Sequence, residues 1–391
     1  MSGDHEFIPL ARPLLGAREE ELVVEALRSR KISLGPRLPE FEQALAGRLG
    51  VKHVSAVSSG TAALHLAVRA AGVEPGDEVV TSPLSFVASA NCLLYEGARP
   101  VFCDIDRRTL NMDPDAAADA LTGRTAGVLP VHVFGYPADM PALEGIAARS
   151  GLWIVEDACE ALGAAHADGS PVGTRGNLAT LGFYPNKQLT TGEGGALVSF
   201  SQEAKRRIDS ERNQGRAPDM GWLDHDRLGF NYRLDDLSCA LGLAQLERLD
   251  AMLSARARIA GLYSAALEDV EGLELPCPDR DGERRGWFVY VVQLPPEVDR
   301  DAAVEALRER GVDSKPYLPA IHLLSFYRER FGHREGEFPV CEDVARRSLA
   351  LPFFPELSEV QVERVVATLR GLLEAQRSAT ARRADGASVR S

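Results

Sequence analysis

The sequence has no hydrophobic run suited to a membrane or to export. No apolar stretch of the 391 residues reaches the roughly 18 residues that a membrane helix requires. The first residues include Asp4 and Glu6 where a secretory signal would carry positive charge, and no apolar stretch of signal-peptide length follows them. We therefore expect a cytoplasmic protein with no membrane partner.

Cysteine is scarce, and positive charge is in deficit. The six cysteines have no CxxC spacing, so neither a disulfide framework nor a zinc cluster is indicated. A formal net charge of −13 makes non-specific binding to nucleic acid unfavourable. A GxGxxG after a strand, a P-loop and an HExxH are also missing, which argues against a nicotinamide enzyme and against these nucleotide and metal sites. We expect no metal and no nucleic-acid partner.

What is present between about residues 50 and 200 is a regular alternation of strand-like and helix-like segments. The strand candidates are GDEVVTSP, ARPVFCDID, AGVLPVHVFG, LWIVEDA, ATLGFYP and GALVSF. This alternation predicts an α/β domain whose central sheet is mostly parallel and lies between helices. In such a sheet, ligands bind at the carboxyl ends of the strands.

The length of the chain favours two domains. A proline-free helix pattern from Leu234 to about Leu267 is expected to connect them. GWFVYVVQL, DAAVEALRERG and a final amphipathic helix then predict a smaller α+β domain. We place the large domain, with the N-terminal segment, at residues 1–250 and the small one at 251–375. Residues 376–391 lack an apolar pattern and are expected to be disordered.

Three segments carry residues suited to chemistry. The first is a small-residue turn, Ser58 to Ala62, between a strand-like run and a helix. Such a turn presents free N–H groups and the positive end of the helix dipole, which together bind phosphate. Ordinary N-capping explains the same residues equally well.

The second segment is LWIVEDACEALGA, a buried-strand pattern that ends in Glu156 and Asp157. A carboxylate at this edge of the sheet is placed to hold a pyridinium nitrogen protonated, and Asp157 is our choice of the two. A strand that ends in Asp as the chain enters a loop is the ordinary alternative.

The third segment is LGFYPNKQLTTGEGGALVSF. Lys187 lies between strand-like flanks and precedes a small, turn-forming stretch that allows backbone to approach a planar cofactor. A lone lysine is usually a solvated surface charge. Here its flanks are expected to be buried, which suits a Schiff-base nucleophile.

In this order, the three segments resemble the sugar aminotransferases of the DegT/StrS type. That family contains pyridoxal-phosphate enzymes with the aspartate-aminotransferase-like fold, fold type I. The resemblance extends from about Pro9 to Leu373. It is carried by GPRLPEFEQALAGRLGVKHVSAVSSGTAALHLAV, EDACEALGA, YPNKQLTTGEGG and GFNYRLDDLSCALGLAQL.

The resemblance implies the following cofactor contacts. Lys187 would be the Schiff-base lysine and, once freed, the proton shuttle. Asp157 would bind the pyridine nitrogen of pyridoxal 5′-phosphate, Phe86 would stack on its ring, and Glu160 would lie near the 3-hydroxyl, where relatives commonly have Gln. The cofactor phosphate would bind at the helix start formed by Gly60, Thr61 and Ala62.

The resemblance also implies a homodimer with shared active sites, in which Asn231 reaches the phosphate in the neighbouring subunit. Tyr317, His322 and Lys315 would lie on the substrate side, although His322 has a structural role as an alternative. Two positions depart from the family. Lys315 replaces a frequent Arg, and Gly182 stands five residues before the lysine, where many relatives have a phosphate-binding Ser.

The activity implied is transfer of an amino group from L-glutamate to a keto-sugar. A nucleotide-linked 4-keto-6-deoxy sugar is favoured, because the TTGEGG after Lys187 resembles members that aminate C4. Amination at C3 and amination of a keto-inositol remain alternatives. A sugar dehydratase of this family would have histidine in place of Lys187, and a DNA-binding regulator should show a basic domain or a helix-turn-helix, neither of which is visible.

Overall fold

The computed structural model describes residues 7–217 and 224–388, with side chains as far as Gln376. Asp4 and Glu6, on which the expectation of no signal peptide depended, lie outside these ranges. The first lobe contains a seven-stranded sheet. Its strands are β1 (His53–Val57), β2 (Glu78–Thr81), β3 (Arg99–Phe102), β4 (Thr125–Leu129), β5 (Trp153–Asp157), β6 (Leu178–Gly182) and β7 (Gly195–Ser199).

The strand order is β1-β7-β6-β5-β4-β2-β3. Neighbours from β6 to β3 are parallel, whereas β7 is antiparallel to both β1 and β6. The six predicted strands are therefore confirmed, and so is the mostly parallel sheet. The helices that cover it are α1 (Ala17–Ser29), α2 (Arg37–Leu49), α3 (Gly60–Ala70), α4 (Ala88–Tyr95), α5 (Pro114–Asp119), α6 (Met140–Ser150) and α7 (Gln202–Glu211).

The helix predicted from Leu234 to Leu267 is divided into two, so the prediction of one continuous helix is wrong. The two parts are α8 (Asp236–Glu247) and α9 (Leu249–Leu267). At Arg248 the backbone leaves the helical region, with φ −123° and ψ 16°, and its N–H donates to Gln245 three residues back, which closes α8 with a tight turn. The expected connection between lobes is present, because Met252 packs in the first core and Tyr263 in the second.

The second lobe has an antiparallel sheet in the order β8-β10-β9. Its elements are β8 (Tyr290–Gln293), α10 (Arg300–Glu309), β9 (Lys315–Pro316), α11 (Ser325–Phe331), α12 (Pro339–Arg347), β10 (Ser348–Leu351) and α13 (Glu359–Ser388). Ile8, fully buried, packs in the core of this lobe and pairs with Val312. The described start of the N-terminal segment thus packs against the small lobe, although we expected that segment to belong to the large one.

The last helix differs from expectation in length. It continues to Ser388 and so extends through most of the segment 376–391, for which disorder was expected. Alanine and arginine are good helix formers, so a helix here does not require an apolar face. None of the described helices is long and apolar enough to cross a membrane.

Candidate active site

A cleft of about 650 Å³ lies between the lobes. The turn after β1, the ends of β5 and β6 and the loop after β6 form its floor. Phe288 and residues 316–319 enter it from the second lobe. The cleft is thus at the carboxyl edge of the parallel strands, as expected for an α/β sheet, and its volume suits a small-molecule ligand.

The turn after β1 presents the N-terminus of α3 to the cleft. Ser59 caps the helix, with its hydroxyl accepting the N–H of Ala62 at 3.0 Å. The first intrahelical bond runs from Ala63 N–H to Ser59 C=O, so the N–H groups of Gly60 and Thr61 have no intrahelical acceptor. Ser59, Gly60 and Thr61 line the cleft.

Ala62 does not fit its expected role. It is buried, it is not among the residues that line the cleft, and its N–H is already bound by the Ser59 cap. The helix-start donors left for a ligand are therefore the N–H groups of Gly60 and Thr61, without that of Ala62. The physical reason is that the side chain of an N-cap residue takes the donor three positions on, which leaves the first two donors of the helix for a ligand.

The two acids at the end of β5 point in different directions. Asp157 lines the cleft; its Oδ2 accepts the hydroxyl of Ser89 at 2.7 Å, and its Oδ1 accepts the N–H of Cys159 at 3.1 Å. Glu156 is fully buried outside the cleft, and His132 Nε2 lies 3.0 Å from it. Although burial alone would raise the pKa of Glu156, the bond to His132 and three backbone N–H bonds hold it below its usual range.

Lys187 lies in the loop after β6, and its side chain is 15% exposed. Its Nζ is 3.6 Å from Glu160 Oε1 and 3.8 Å from the centre of the Phe288 ring. The backbone of this loop is bound by Arg256 of α9, whose guanidinium donates to the carbonyl of Lys187 at 3.1 Å and to that of Phe288 at 3.0 Å. The amine thus faces the cleft from a loop that is fixed by the helix between the lobes.

Glu160 is buried beside Lys187. Its Oε2 accepts the N–H of Phe134 at 2.9 Å, and its carbonyl accepts the side-chain amide of Gln188. Phe134 is in the left-handed region, at φ 55°, which is uncommon for a residue other than glycine. Burial raises the pKa of Glu160, and the charge of Lys187 opposes this only in part.

Phe86 and Tyr317, which were also predicted at the site, line the cleft as well. Phe86 is 62% exposed and lines the cleft beside α4. Tyr317 enters from the second lobe, and its hydroxyl accepts the side-chain amide of Asn186 at 3.3 Å. Burial, with the nearby charge of Glu160, raises the pKa of Tyr317, so its phenol stays protonated.

Two expected substrate residues lie elsewhere. His322 is fully buried, and its Nε2 is 3.0 Å from Glu342, because the turn at Ile321–Leu323 directs the ring toward α12. Burial lowers the pKa of His322, which fits the structural alternative. Lys315 is exposed on β9 and is not among the cleft-lining residues.

Two further positions from the family comparison are Asn231 and Gly182, and the structure shows what surrounds each of them. Asn231 is exposed in the loop before α8 and pairs through its backbone with Asn213; it does not line the cleft of its own chain. Gly182 lines the cleft, and a Cβ there would lie 3.3 Å from the Cβ of Cys159. A serine at position 182 would therefore require Cys159 to shift.

Three residues that organise the site were not found from the sequence: Ser89 on Asp157, Gln188 on Glu160 and Arg256 on the Lys187 loop. Arg256 is the hardest to find, since an arginine on a helix pattern predicts a solvated face, and its carbonyl acceptors on Lys187 and Phe288 belong to no readable motif. In the described ranges, no group of three or more His, Cys, Asp or Glu side chains is placed to hold a metal ion.

The residues of the cleft fit pyridoxal 5′-phosphate. A lysine amine, a carboxylate at a strand end and the start of a helix face one space between two lobes, and the glycines at 60 and 182 leave room there. This fold and this site define a pyridoxal-phosphate-dependent enzyme of fold type I.

Comparison with known proteins gives the family. Residues 13–370 match the model of the DegT/DnrJ/EryC1/StrS aminotransferase family. The spore coat polysaccharide biosynthesis protein SpsC of Bacillus subtilis (strain 168) is 37% identical over 383 residues, which are 95% of this chain and 98% of SpsC. The GDP-perosamine synthase of Caulobacter vibrioides is 36% identical over 370 residues, with 94% and 98% covered.

Among solved structures, the aminotransferase TlmJ of Streptoalloteichus hindustanus superposes with a TM-score of 0.88 at 35% identity, covering 94% of this chain and 99% of TlmJ. The chain therefore belongs to the DegT/DnrJ/EryC1/StrS aminotransferase family, and it is a pyridoxal-phosphate-dependent sugar aminotransferase.

Proposed function

We propose that this enzyme transfers the amino group of L-glutamate to a nucleotide-linked 4-keto-6-deoxy sugar, with Lys187 as the residue that binds the cofactor covalently. The observation that carries the assignment of Lys187 is its position: the amine lies largely buried, faces the cleft and has Glu160 beside it. The relatives named GDP-perosamine synthase support a nucleotide-linked sugar.

The other cleft residues would each contact a different part of the cofactor. Asp157 would hold the pyridine nitrogen, since the hydroxyl of Ser89 and the N–H of Cys159 fix the position of its carboxylate at the cleft. Ser59, Gly60 and Thr61 would bind the phosphate at the positive end of α3. Phe86 would cover the ring, and Tyr317 offers a phenol donor to the substrate side.

When bound, pyridoxal phosphate supplies an electron sink that stabilises the charge left on a carbon when its proton is removed. The chain supplies the proton transfer: the Nζ of Lys187 takes a proton from the carbon of the amino donor and returns one to the carbon of the amino acceptor. Phe288, whose ring centre lies 3.8 Å from Nζ, and residues 316–319 form one side of the cleft and would keep water from this amine.

The test of Lys187 is chemical. The purified protein should absorb at roughly 410–430 nm, and borohydride should remove this band by fixing the cofactor to the chain. Peptide mapping should then find the cofactor on Lys187, and Lys187→Ala should take up none that borohydride can fix. An adduct on another lysine would overturn the assignment.

The substrate is tested by offering the enzyme a panel of keto-sugars and keto-inositols. We expect release of 2-oxoglutarate from glutamate with nucleotide-linked 4-keto sugars and little with 3-keto sugars or keto-inositols. Faster turnover of a 3-keto sugar would replace C4 with C3 amination, and faster turnover of a keto-inositol would remove the nucleotide from the proposal. Neither result would change the role of Lys187, which the borohydride adduct tests separately.

A further inference from the structure

Lys187 has an ionisable neighbour that the transamination chemistry described above does not use. Glu160 Oε1 is 3.6 Å from the Nζ of Lys187, which is within range of an ion pair and longer than a hydrogen bond. The lysine side chain is flexible, so a movement of about 0.8 Å (3.6 − 2.8) brings the two atoms to the usual charge-assisted distance of about 2.8 Å.

The carboxylate itself is fixed. Its second oxygen accepts the N–H of Phe134, and its main-chain carbonyl accepts Gln188. Phe134 adopts its uncommon left-handed backbone at this point. The structure thus holds one oxygen of Glu160 in place and leaves the other directed at the amine.

The surroundings of the pair set its protonation. Three ionisable groups face the Lys187–Glu160 pair: Asp157 from β5, Cys159 from the turn after β5, and Tyr317 from the second lobe. Burial raises the pKa of the Glu160 carboxyl, of the Cys159 thiol and of the Tyr317 phenol. The thiol and the phenol therefore stay protonated, which leaves Glu160 as the base nearest the ammonium.

We propose that Glu160 takes up the proton that the Lys187 ammonium must release before its nitrogen attacks a carbonyl carbon, and that Glu160 returns this proton when the amine is freed. In this step, one N–H bond breaks and leaves its electron pair on Nζ, and one O–H bond forms on Oε1. No other reactant is needed. The role rests on the proposed function only in taking Lys187 as the nucleophile.

A shared proton has a measurable signature. While the pair carries one proton, the fraction with a neutral amine and a protonated Glu160 does not change with pH. A lysine without such a partner gains neutral amine about tenfold per pH unit below its own pKa. The pH dependence of Lys187 reactivity therefore distinguishes a proton-accepting Glu160 from one that only anchors Phe134.

The experiment uses the full-length chain freed of cofactor, with formaldehyde and cyanoborohydride as the probe. Mass spectrometry follows methylation of Lys187 and of exposed Lys52 in the same sample, so that the pH dependence of the reagents cancels in the ratio of the two rates. In the wild type, we expect the Lys187:Lys52 ratio to fall about tenfold per pH unit as long as Glu160 keeps the proton released by Lys187, and to become constant above the pH at which Glu160 loses that proton. In Glu160→Gln, whose amide oxygen still accepts the N–H of Phe134, we expect a constant ratio.

Glu193→Gln is the matched control, since Glu193 is an exposed carboxylate that also lines the cleft; it should keep the wild-type profile. A wild-type ratio that stays constant over the whole pH range in which the chain is folded overturns the proposal without any variant, and so does a ratio that falls equally in Glu160→Gln. The proposed function fails differently, through a borohydride-fixed cofactor that is found away from Lys187.

Discussion

The guanidinium of Arg256 donates to the carbonyl oxygen of Lys187 at 3.1 Å and to that of Phe288 at 3.0 Å. Arg256 is buried in α9, which contributes to the cores of both lobes. Burial lowers the pKa of Arg256 to about 10, so the group remains charged near neutrality. One side chain thus connects the lysine loop of the first lobe to the segment just before β8 of the second lobe.

We predict that Arg256→Met lowers the free energy of unfolding by about 1–3 kcal/mol, because it leaves buried carbonyl groups without donors. It should also lower kcat at least about tenfold through displacement of the Lys187 loop. Arg258→Met is the control, since Arg258 is on the same helix but half exposed and paired with Glu359. Thermal melts and turnover measure both effects; an Arg256→Met chain indistinguishable from the control would contradict the prediction.

A second prediction concerns Asp157. Asp157→Asn keeps the size of the side chain but replaces a charged acceptor with a neutral one. Charge-assisted hydrogen bonds are about twice as strong as neutral ones, so we expect kcat to fall at least about tenfold. Ser89→Ala, which removes only the donor to Oδ2, should have a smaller effect. Unchanged turnover in Asp157→Asn would show that another acid holds the pyridine nitrogen.

A third prediction separates capping from cofactor binding. Ser59 and Ser201 both cap a helix by accepting an N–H three residues on at 3.0 Å, but only Ser59 lines the cleft. Each Ser→Ala variant should lose about 1 kcal/mol of stability. Only Ser59→Ala should also lose cofactor faster on dialysis, as measured by absorbance. Equal cofactor retention in the two variants would mean that Ser59 is an N-cap and nothing more.

A fourth prediction tests a homodimer with shared sites. Asn231 is exposed and lies outside the cleft of its own chain, so a role at the cofactor phosphate requires a second subunit. Lys187→Ala and Asn231→Ala subunits, each weak alone, should complement each other when co-expressed. In the mixed dimer, one site carries both lesions and the other none, so activity should reach up to about half that of the wild type. The absence of complementation in verified mixed dimers would mean that Asn231 acts within its own subunit or not at all, and the shared-site model would be wrong.

The sequence by itself determined the order of the elements and the main groups of the cleft. Strand-like apolar stretches that alternate with helix-like segments predicted the six strands from β2 to β7, because a strand buried on both faces is apolar throughout. Asp157 was found because it ends such a strand, and Lys187 because it lies in the loop after one. The carboxyl end of a parallel strand lies at the edge of the sheet where ligands bind.

Only the tertiary structure decided how those groups are bound. The inward turn of the His322 ring depends on Glu342 of α12. Arg256 of α9 binds the carbonyl of Lys187, and the N–H of Phe134 holds one oxygen of Glu160 while the other lies near the amine. The contacts of His322, Glu160 and Lys187 join residues that are 20 or more positions apart in the chain, and no local pattern of residue types specifies which distant partner a side chain will meet.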